Sequence, residues 1–368
     1  MVFIKESNLK YLTQHKYNST GYSFLDKVLN KVLWEPLAYF LPAWLAPNLV
    51  SVLGLVCMVA SYLVMVPFDS TFSKQIPSYV LYLSAFLIFG YQTLDAVDGK
   101  HARNIGASSP LGMLIDHGCD ALSSTLIILA LSQAAGLGVS LSVYLIFLGV
   151  YWSFYLAQWE EYHTHFCRTH FMNIGVTEGQ WLNVIVIACS GLLGKDIYKL
   201  EVLGVQLEYC LVIPSLLTGV MISGKMLYST FSTTKEPLNA AGRLIPLILI
   251  TASLSLWFMP MGTETQKVHS RFSIILLIQG MTFALCCSKI IICSVSRMEF
   301  PWFQTECILM LVWACEVKFF QVLPFEMTLV FVGAYVAKSY MRFVVGVISQ
   351  ISNYLGISVF KVELNKNK

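Results

Sequence analysis

The sequence predicts an all-α polytopic membrane protein with about ten transmembrane helices, an N-terminal interfacial amphipathic helix and both termini in the cytosol. Three observations predict it. Of the 368 residues, 56% are hydrophobic and only 12% are charged, whereas a soluble domain carries about 25% charged residues. Apolar stretches long enough to cross a bilayer recur along the chain. Lys and Arg concentrate in alternate loops.

The composition also excludes several classes of protein. The mean hydropathy of +0.66 and the net charge of only +3 exclude a disordered chain. Lys and Arg do not cluster with interleaved aromatic residues, so we expect no nucleic-acid partner. Most of the ten cysteines lie within apolar runs, where Cys acts as a small hydrophobic residue. We therefore expect no structural disulfide.

Ten stretches of roughly 20 mostly apolar residues meet the length of a bilayer core. They cover 48–67, 78–97, 113–135, 138–159, 178–194, 209–229, 242–260, 272–293, 303–322 and 326–350. The predicted organisation is a cytosolic interfacial region over 1–46, a core of about six helices over 47–230, additional transmembrane helices over 231–350 and a cytosolic tail over 351–368. The fifth, ninth and tenth stretches are short or interrupted by Lys or Glu.

Charge gives the predicted orientation. The region 1–46, the loop that contains Lys100 and Arg103, the loop after the sixth stretch and the C-terminal tail are all basic on balance. Two other loops run against the trend, one slightly basic and one slightly acidic. An even number of crossings with both termini in the cytosol fits the positive-inside rule best. The glycosylation sequon at 18–20 would then be cytosolic and unmodified.

The interfacial helix is predicted over Phe24–Leu33. Its apolar positions are Leu25, Val28, Leu29 and Val32, and its polar positions are Asp26, Lys27, Asn30 and Lys31. One apolar stripe opposite one charged face is typical of a helix that lies in the membrane surface. The alternative is an ordinary cap packed on the bundle, which is compatible with a surface helix.

Four aspartates fall within the segment DAVDGKHARNIGASSPLGMLIDHGCD, which covers 95–120. Asp95 and Asp98 are three residues apart, and Asp116 and Asp120 are four apart, so each pair shares one face of a helix. The intervening NIGASSP (104–110) has the composition of a turn. We therefore expect the end of one helix and the start of the next to bring all four carboxylates to one point.

Carboxylates held that close repel each other, and a divalent cation relieves the repulsion. Mg²⁺, Mn²⁺ and Ca²⁺ take all-oxygen ligands, and a pair of such ions can clamp a phosphate. Gly99, Ala102 and Gly112 would leave room for a phosphate or nucleotide, and Arg103 offers a forked donor to it. A lone D-x2-D is more often a solvated helix end.

The full pattern is D-x2-D-G-x2-A-R-x8-G-x3-D-x3-D, whose eight fixed positions are all matched here. It resembles the signature of the CDP-alcohol phosphotransferase family. The eukaryotic choline/ethanolamine phosphotransferase branch is similar in length, in its ten-span layout and in several short segments. These segments are APNLVSVLGL (46–55), LDAVDGKHAR (94–103), SSPLG (108–112), DHGCDALS (116–123) and VTEGQ (176–180). The C-terminal third is the least distinctive part of the chain.

The resemblance implies a reaction and a set of site residues. The hydroxyl of diacylglycerol would attack the β-phosphorus of CDP-choline or CDP-ethanolamine, giving phosphatidylcholine or phosphatidylethanolamine and CMP. Two ions, Mg²⁺ or Mn²⁺, would be held by Asp95, Asp98, Asp116 and Asp120. The nucleotide would be lined by Gly99, Ala102, Arg103 and Gly112. The core over 47–230 would then be catalytic. The resemblance also implies the endoplasmic reticulum or Golgi membrane and a homodimer, and the distribution of charge places the active site on the cytosolic face.

The lipid hydroxyl needs a general base. In much of the family the last aspartate, here Asp120, has that role. In the choline/ethanolamine branch, the resemblance favours His117, with Glu178 as the carboxylate that orients it. The alternative for His117 is an interfacial histidine bonded to backbone. For Glu178 it is a helix N-terminal charge, with Thr177 as the cap.

Asn48 and several aromatic residues are further candidates. The Asn48 amide would either read the cytosine edge or cap the helix that starts beside it. Aromatic faces are the usual partners of a quaternary ammonium. Tyr91, Tyr155, Trp159 and Tyr162 lie at a suitable level for choline, but such residues more often form the interface belt. We assign none of them.

Other functions fit parts of the sequence. His165 and His170 form one H-x4-H, but seven histidines do not supply the several boxes of a membrane di-iron oxidase. A lone zinc site from His163, His165 and His170 is left as an alternative. An ion-coupled transporter would place its carboxylates mid-span and use half-length helices. The nearest alternative is a family branch that uses inositol, serine or glycerol phosphate acceptors.

Overall fold

The computed structural model describes residues 3–14, 21–166, 170–171, 174–259 and 265–362, and these are almost entirely helical. The glycosylation sequon at 18–20 lies outside the described residues. The strands among the described residues form two short antiparallel hairpins, β1 (His170–Phe171) with β2 (Ile174–Gly175) and β3 (Glu201–Val202) with β4 (Val205–Gln206). The prediction of an all-α polytopic membrane protein is confirmed.

Within the described ranges, nine helical stretches are long and apolar enough to cross a membrane. They are α4 (Pro47–Met65), α5 (Ser78–Asn104), α6 (Pro110–Ala135), α7 (Leu141–Thr164), α8 (Val176–Leu193), α9 (Leu207–Thr233), α10 with α11 (Pro237–Gly242 and Ile245–Phe258), α13 (Phe272–Val295) and α15 (Phe325–Leu355). Short helices α1 (Glu6–Leu9), α2 (Phe24–Leu29), α3 (Glu35–Phe40) and α12 (Thr265–Ser270) lie between or before them.

The ninth predicted span is shorter than a full crossing. It forms α14 (Thr305–Cys315), which continues into a π-helical turn over Glu316–Phe320. An ion pair of 2.7 Å joins Lys289, near the end of α13, to Glu306 at the start of α14. A second one of 3.3 Å joins the starts of α13 and α15. α14 therefore runs back alongside α13, from the end of α13 toward the end of the bundle where α13 and α15 start.

Both ends of the described chain lie at one end of the bundle. The backbone amides of Phe3 and Ile4 donate to Oε1 of Gln350, near the end of α15, at 3.1 and 3.0 Å. The Asn8 side-chain amide donates to the carbonyl of Ser296, just after α13, at 2.9 Å. This common end is the one predicted from charge. Its assignment to the cytosol stays a prediction.

The N-terminal helical region has two apolar sides rather than the single stripe predicted. α2, a π-helical turn over Asn30–Trp34 and α3 follow one another directly. Trp34 packs against Val97 of α5, and Leu29 packs against the same cluster. Val28 and Val32, which belong to the predicted stripe with Leu29, are 43% and 72% exposed. The region is thus both a cap on the bundle and an apolar surface available to lipid, because the helix turns each side toward a different environment.

Candidate active site

Three of the four predicted aspartates converge. Asp95 lies near the end of α5, and Asp116 and Asp120 lie in the first turns of α6. One carboxylate oxygen from each residue can be chosen so that all three lie within 4.8 Å of one another. The helices meet because a short turn, with Gly106 at a positive φ of 68°, reverses the chain between them. The convergence predicted for four carboxylates is therefore present for these three, and Asp98 is not a member of the group.

Asp98 is held separately by α4. The Ser51 hydroxyl donates a short hydrogen bond to its Oδ2, and only 4% of Asp98 is exposed. Ser51 was not singled out from the sequence, although it lies three residues after Asn48 and so on a neighbouring face of α4. Its contact fixes the orientation of the fourth carboxylate one turn beyond Asp95.

Tyr91 supports the aspartate group from within α5. Its hydroxyl donates to Oδ1 of Asp120 at 2.7 Å, and the residue is 3% exposed. Gly54 of α4 faces it, and a Cβ there would lie 3.5 Å from the Tyr91 carbonyl oxygen, which is ordinary van der Waals contact, so α4 packs directly on this part of α5. Tyr91 is four residues before Asp95, a spacing that could have indicated a role in the site rather than in the membrane belt.

Replacing Tyr91 with Phe is expected to weaken the site without unfolding the protein. The change removes the hydrogen bond from the Tyr91 hydroxyl to Asp120, and the loss of such a contact to a metal-binding carboxylate typically costs about 10- to 100-fold in metal affinity. The measurement is the affinity of the purified protein for Mg²⁺ or Mn²⁺, obtained by calorimetric titration. Tyr62→Phe is the matched control, because the hydroxyl of this buried tyrosine bonds Ser273 on another helix. Equal behaviour of the two variants would contradict the role of Tyr91.

The donor set suits a hard divalent cation. Three carboxylates whose oxygens approach within 4.8 Å repel one another unless protons or a cation compensate them. Mg²⁺ and Mn²⁺ bind oxygen ligands of this kind. Among the residues with described side chains, no other group of acidic, His or Cys residues comes together in this way. His163 and His165 are not part of such a group, and the side chain of His170 lies outside the description.

The small residues and the arginine border the aspartates. A Cβ at Gly99 would lie 3.6 Å from Nη1 of Arg103, so the guanidinium extends back over Gly99. Ala102 is buried and Arg103 is exposed. A Cβ at Gly112 would lie only 3.2 Å from Oδ1 of Asn48, which leaves space beside Asn48 because residue 112 is glycine.

Asn48 does not cap its helix. α4 begins at Pro47, its N-cap residue is Ala46, and no side chain makes a capping hydrogen bond. The Asn48 amide nitrogen instead donates to the carbonyl oxygen of Val359 at 2.8 Å. The alternative of a helix cap is thus wrong, since Asn48 contacts a distant part of the chain.

Glu178 joins two helices. Its Oε2 accepts from the backbone amide of Gly175 at 2.7 Å, which caps α8. Its Oε1 accepts from the backbone amide of Leu25 in α2 at 2.9 Å. The alternative interpretation made Thr177 the cap of α8, and this is wrong. The Thr177 hydroxyl donates to Asp26 of α2 instead. The observed contacts therefore anchor the N-terminal region on α8.

His117 lies on α6 between two members of the aspartate group and is 9% exposed. Tyr155 and Trp159 of α7 are fully buried. The Tyr155 hydroxyl donates to the carbonyl of Arg243 at 2.7 Å, and the Trp159 indole donates to the carbonyl of Ala240 at 3.0 Å. These two residues hold helices together, so they do not belong to an interface belt. The nine cysteines that the structure describes are free.

Comparison with known proteins gives consistent results. A family model described as CDP-alcohol phosphatidyltransferase matches residues 44–193, which include α4–α8. A Dictyostelium discoideum protein named uncharacterized CDP-alcohol phosphatidyltransferase class-I family protein 2 is 33% identical over 273 residues, which are 73% of this chain and 65% of that protein, just under two thirds of its length.

Two named relatives are similar over longer regions. The choline/ethanolaminephosphotransferase 1 of Saccharomyces cerevisiae is 28% identical over 344 residues, 87% of this chain and 85% of the yeast protein. The cholinephosphotransferase 1 of Homo sapiens is 31% identical over 312 residues, 80% of this chain and 74% of the human protein. The similarity to both therefore extends well beyond the matched family region.

Proposed function

The chain belongs to the CDP-alcohol phosphotransferase family, and on that premise we propose that it transfers phosphocholine, phosphoethanolamine or both from the CDP-alcohol to diacylglycerol. The products are CMP and phosphatidylcholine or phosphatidylethanolamine. The convergence of Asp95, Asp116 and Asp120 within 4.8 Å is the observation that carries the proposal. The names of the yeast and human relatives support these headgroups over inositol, serine or glycerol phosphate.

Asp95, Asp98, Asp116 and Asp120 would hold a pair of Mg²⁺ or Mn²⁺ ions. Such ions, when bound, neutralise the diphosphate charge and stabilise the leaving CMP. Asp98 already has one oxygen fixed by Ser51, so it is oriented before any ligand binds. Preorganised ligands of this kind lower the cost of binding.

His117 acts as the general base. It takes the proton of the diacylglycerol hydroxyl while the hydroxyl oxygen forms a bond to the β-phosphorus. The bond from that phosphorus to the bridging oxygen breaks, and CMP leaves with the electron pair. Glu178 orients His117 in this proposal, and Asp120 is the alternative base. Gly99, Ala102 and Gly112 admit the nucleotide, Arg103 donates to its phosphates, and Asn48 reads the cytosine.

The position of the site suits one soluble and one lipid substrate. The aspartates lie at the end of the bundle where α5 and α6 meet, beside the N-terminal helices whose Val28 and Val32 face outward. Diacylglycerol presents its hydroxyl at the headgroup level, whereas the CDP-alcohol arrives from water. We place this end of the bundle on the cytosolic face of the endoplasmic reticulum or Golgi membrane. We also propose that the protein works as a homodimer.

The direct test uses purified protein in liposomes with diacylglycerol and Mg²⁺. Labelled CDP-choline and CDP-ethanolamine are supplied alone and in competition, and CMP and labelled lipid are measured. We expect CMP and labelled lipid to appear in equal amounts from at least one of the two CDP-alcohols. Absence of transfer from both CDP-choline and CDP-ethanolamine would overturn the proposal, whether or not another CDP-alcohol is used.

Glu178→Gln separates an orienting role from an anchoring role. We expect kcat to fall about 10- to 100-fold, because a carboxylate that orients a catalytic His typically has that effect. Thr177→Val is the control, since it removes the other side-chain contact between α8 and α2, the hydrogen bond from Thr177 to Asp26, and leaves Glu178 in place. We expect this control to keep its kcat. If both variants lose activity equally, Glu178 serves only as the anchor seen in its contacts with Gly175 and Leu25.

A further inference from the structure

The chain after α15 turns back toward the candidate nucleotide site. Gly356 ends the helix with a positive φ of 64°, a backbone conformation that glycine adopts without steric cost. The Ile357 amide donates to the Ser352 carbonyl at 3.2 Å, which closes the turn. Ile357 and Val359 pack against the hydrophobic core. The segment 356–359 is thus a fixed element rather than a loose tail.

This C-terminal segment fixes the amide of Asn48. The nitrogen donates to the carbonyl oxygen of Val359 at 2.8 Å. The oxygen of the same amide lies on the side of Gly112, where a Cβ would be 3.2 Å away. An Asn amide can present either its donor or its acceptor to a ligand, and the hydrogen bonds around it decide which. Here the carbonyl of residue 359 accepts from the amide nitrogen, which fixes the rotation of the amide so that Oδ1 faces the Gly112 side.

We propose that the C-terminal segment 356–359 positions Asn48 to select cytosine over uracil, an inference that rests on the proposed function. Cytosine presents an amino donor where uracil presents a carbonyl acceptor. A fixed Oδ1 accepts from the cytosine amino group and meets the uracil carbonyl with like polarity. Without the Val359 contact, the amide rotates and offers its nitrogen to uracil. Val359 is therefore a positioning residue that acts through its backbone.

The test measures binding of CMP and UMP to the purified full-length protein with Mg²⁺. The wild type is expected to bind CMP at least about tenfold more tightly, since one correct base contact contributes about that much discrimination. Gly356→Val places a β-branched side chain at a positive φ and displaces the segment. A second variant ends at Ile357, which keeps the turn and removes Val359. Both are expected to reduce the CMP preference to about twofold or less.

Two further variants show whether the segment acts through Asn48. Gly138→Val introduces the same kind of strain at another positive φ, 68°, between α6 and α7, and should keep the preference. Asn48→Ala should lose it, and adding Gly356→Val to Asn48→Ala should change nothing more, because contacts in one pathway are not additive. Additive losses, or a CMP preference retained in both segment variants, would overturn the inference. Transfer activity in the wild type is measured separately, so its absence would instead count against the proposed function.

Discussion

Replacing Asp116 with Asn is expected to reduce the rate of headgroup transfer about a thousandfold or more, because ions that stabilise a phosphoryl transfer contribute several kcal/mol. The amide has the same size as the carboxylate but no charge. One carboxylate oxygen of Asp116 lies within 4.8 Å of a carboxylate oxygen of Asp95 and one of Asp120. Removing one charge should weaken cation binding and relieve the repulsion among the remaining carboxylates. The variant should therefore be inactive but at least as stable to heat as the wild type in metal-free buffer.

Three measurements check this expectation. They are the transfer rate at saturating substrate, the metal concentration at half-maximal rate, and the thermal unfolding midpoint with and without Mg²⁺. Asp196→Asn is the matched control, because Asp196 is 77% exposed and pairs with Lys199 at 3.3 Å, outside the aspartate group. Exposed pairs contribute about 0–1 kcal/mol, so this variant should behave as wild type. A normal metal response in Asp116→Asn would exclude Asp116 as a ligand.

The opposite stability response is the most diagnostic part of this prediction. A residue that only holds the fold together destabilises the protein when it is replaced. When a ligand residue is surrounded by like charges, removal of its charge stabilises the metal-free protein. The same change removes the stabilisation that Mg²⁺ gives to the protein by mass action. An Asp116→Asn variant that unfolds earlier both with and without Mg²⁺ would identify a structural role instead.

Helical periodicity accounts for what the sequence could predict about the site. Spacings of three and four residues placed Asp95 with Asp98 and Asp116 with Asp120, and a turn between two apolar stretches made their helices antiparallel neighbours. Local rules of this kind need only a few residues. The same rules explain why the order and approximate bounds of the spanning helices were predictable.

Contacts between helices distant in sequence were not predictable in this way. Periodicity tells which face of a helix a residue occupies but not which helix covers that face. The bond between Ser51 and Asp98 joins α4 to α5, and the bond between Asn48 and Val359 joins α4 to the end of the chain. Two interpretations failed for this reason. Tyr155 was grouped with interface aromatics although it is fully buried and its hydroxyl donates to the carbonyl of Arg243, and Asn48 was offered as a helix cap.

The N-terminal region shows the same limit from another side. Leu29 and Val32 belong to one apolar stripe of the sequence, yet Leu29 packs against the bundle and Val32 is 72% exposed. An apolar residue has the same signature whether it faces protein or lipid, because both are apolar surroundings. Only the position of the neighbouring helix α5 separates the two environments.

Replacing His117 with Ala is expected to lower kcat about 10²- to 10⁴-fold, the usual contribution of a general base. His117 would act on the lipid hydroxyl, so the Michaelis constant for CDP-choline and the metal requirement should stay close to wild type. His117 is 9% exposed and follows Asp116 directly in α6. The variant therefore tests whether the rate depends on the imidazole ring separately from the neighbouring carboxylate. Imidazole added to the variant should restore part of the rate, since a small base can enter the space left by the ring.

His101→Gln is the control for replacing a buried histidine near this end of the bundle. His101 is fully buried, and its Nε2 lies 2.9 Å from the carbonyl oxygen of Leu45, a contact within the fold. Its replacement should lower the unfolding temperature while kcat stays within about threefold, because the change removes a single hydrogen bond to a backbone carbonyl and no group assigned to the reaction. If His117→Ala behaves as this control does, and imidazole has no effect, the base is Asp120. Asp120→Asn would then abolish transfer at every metal concentration, because one residue would serve as both ligand and base.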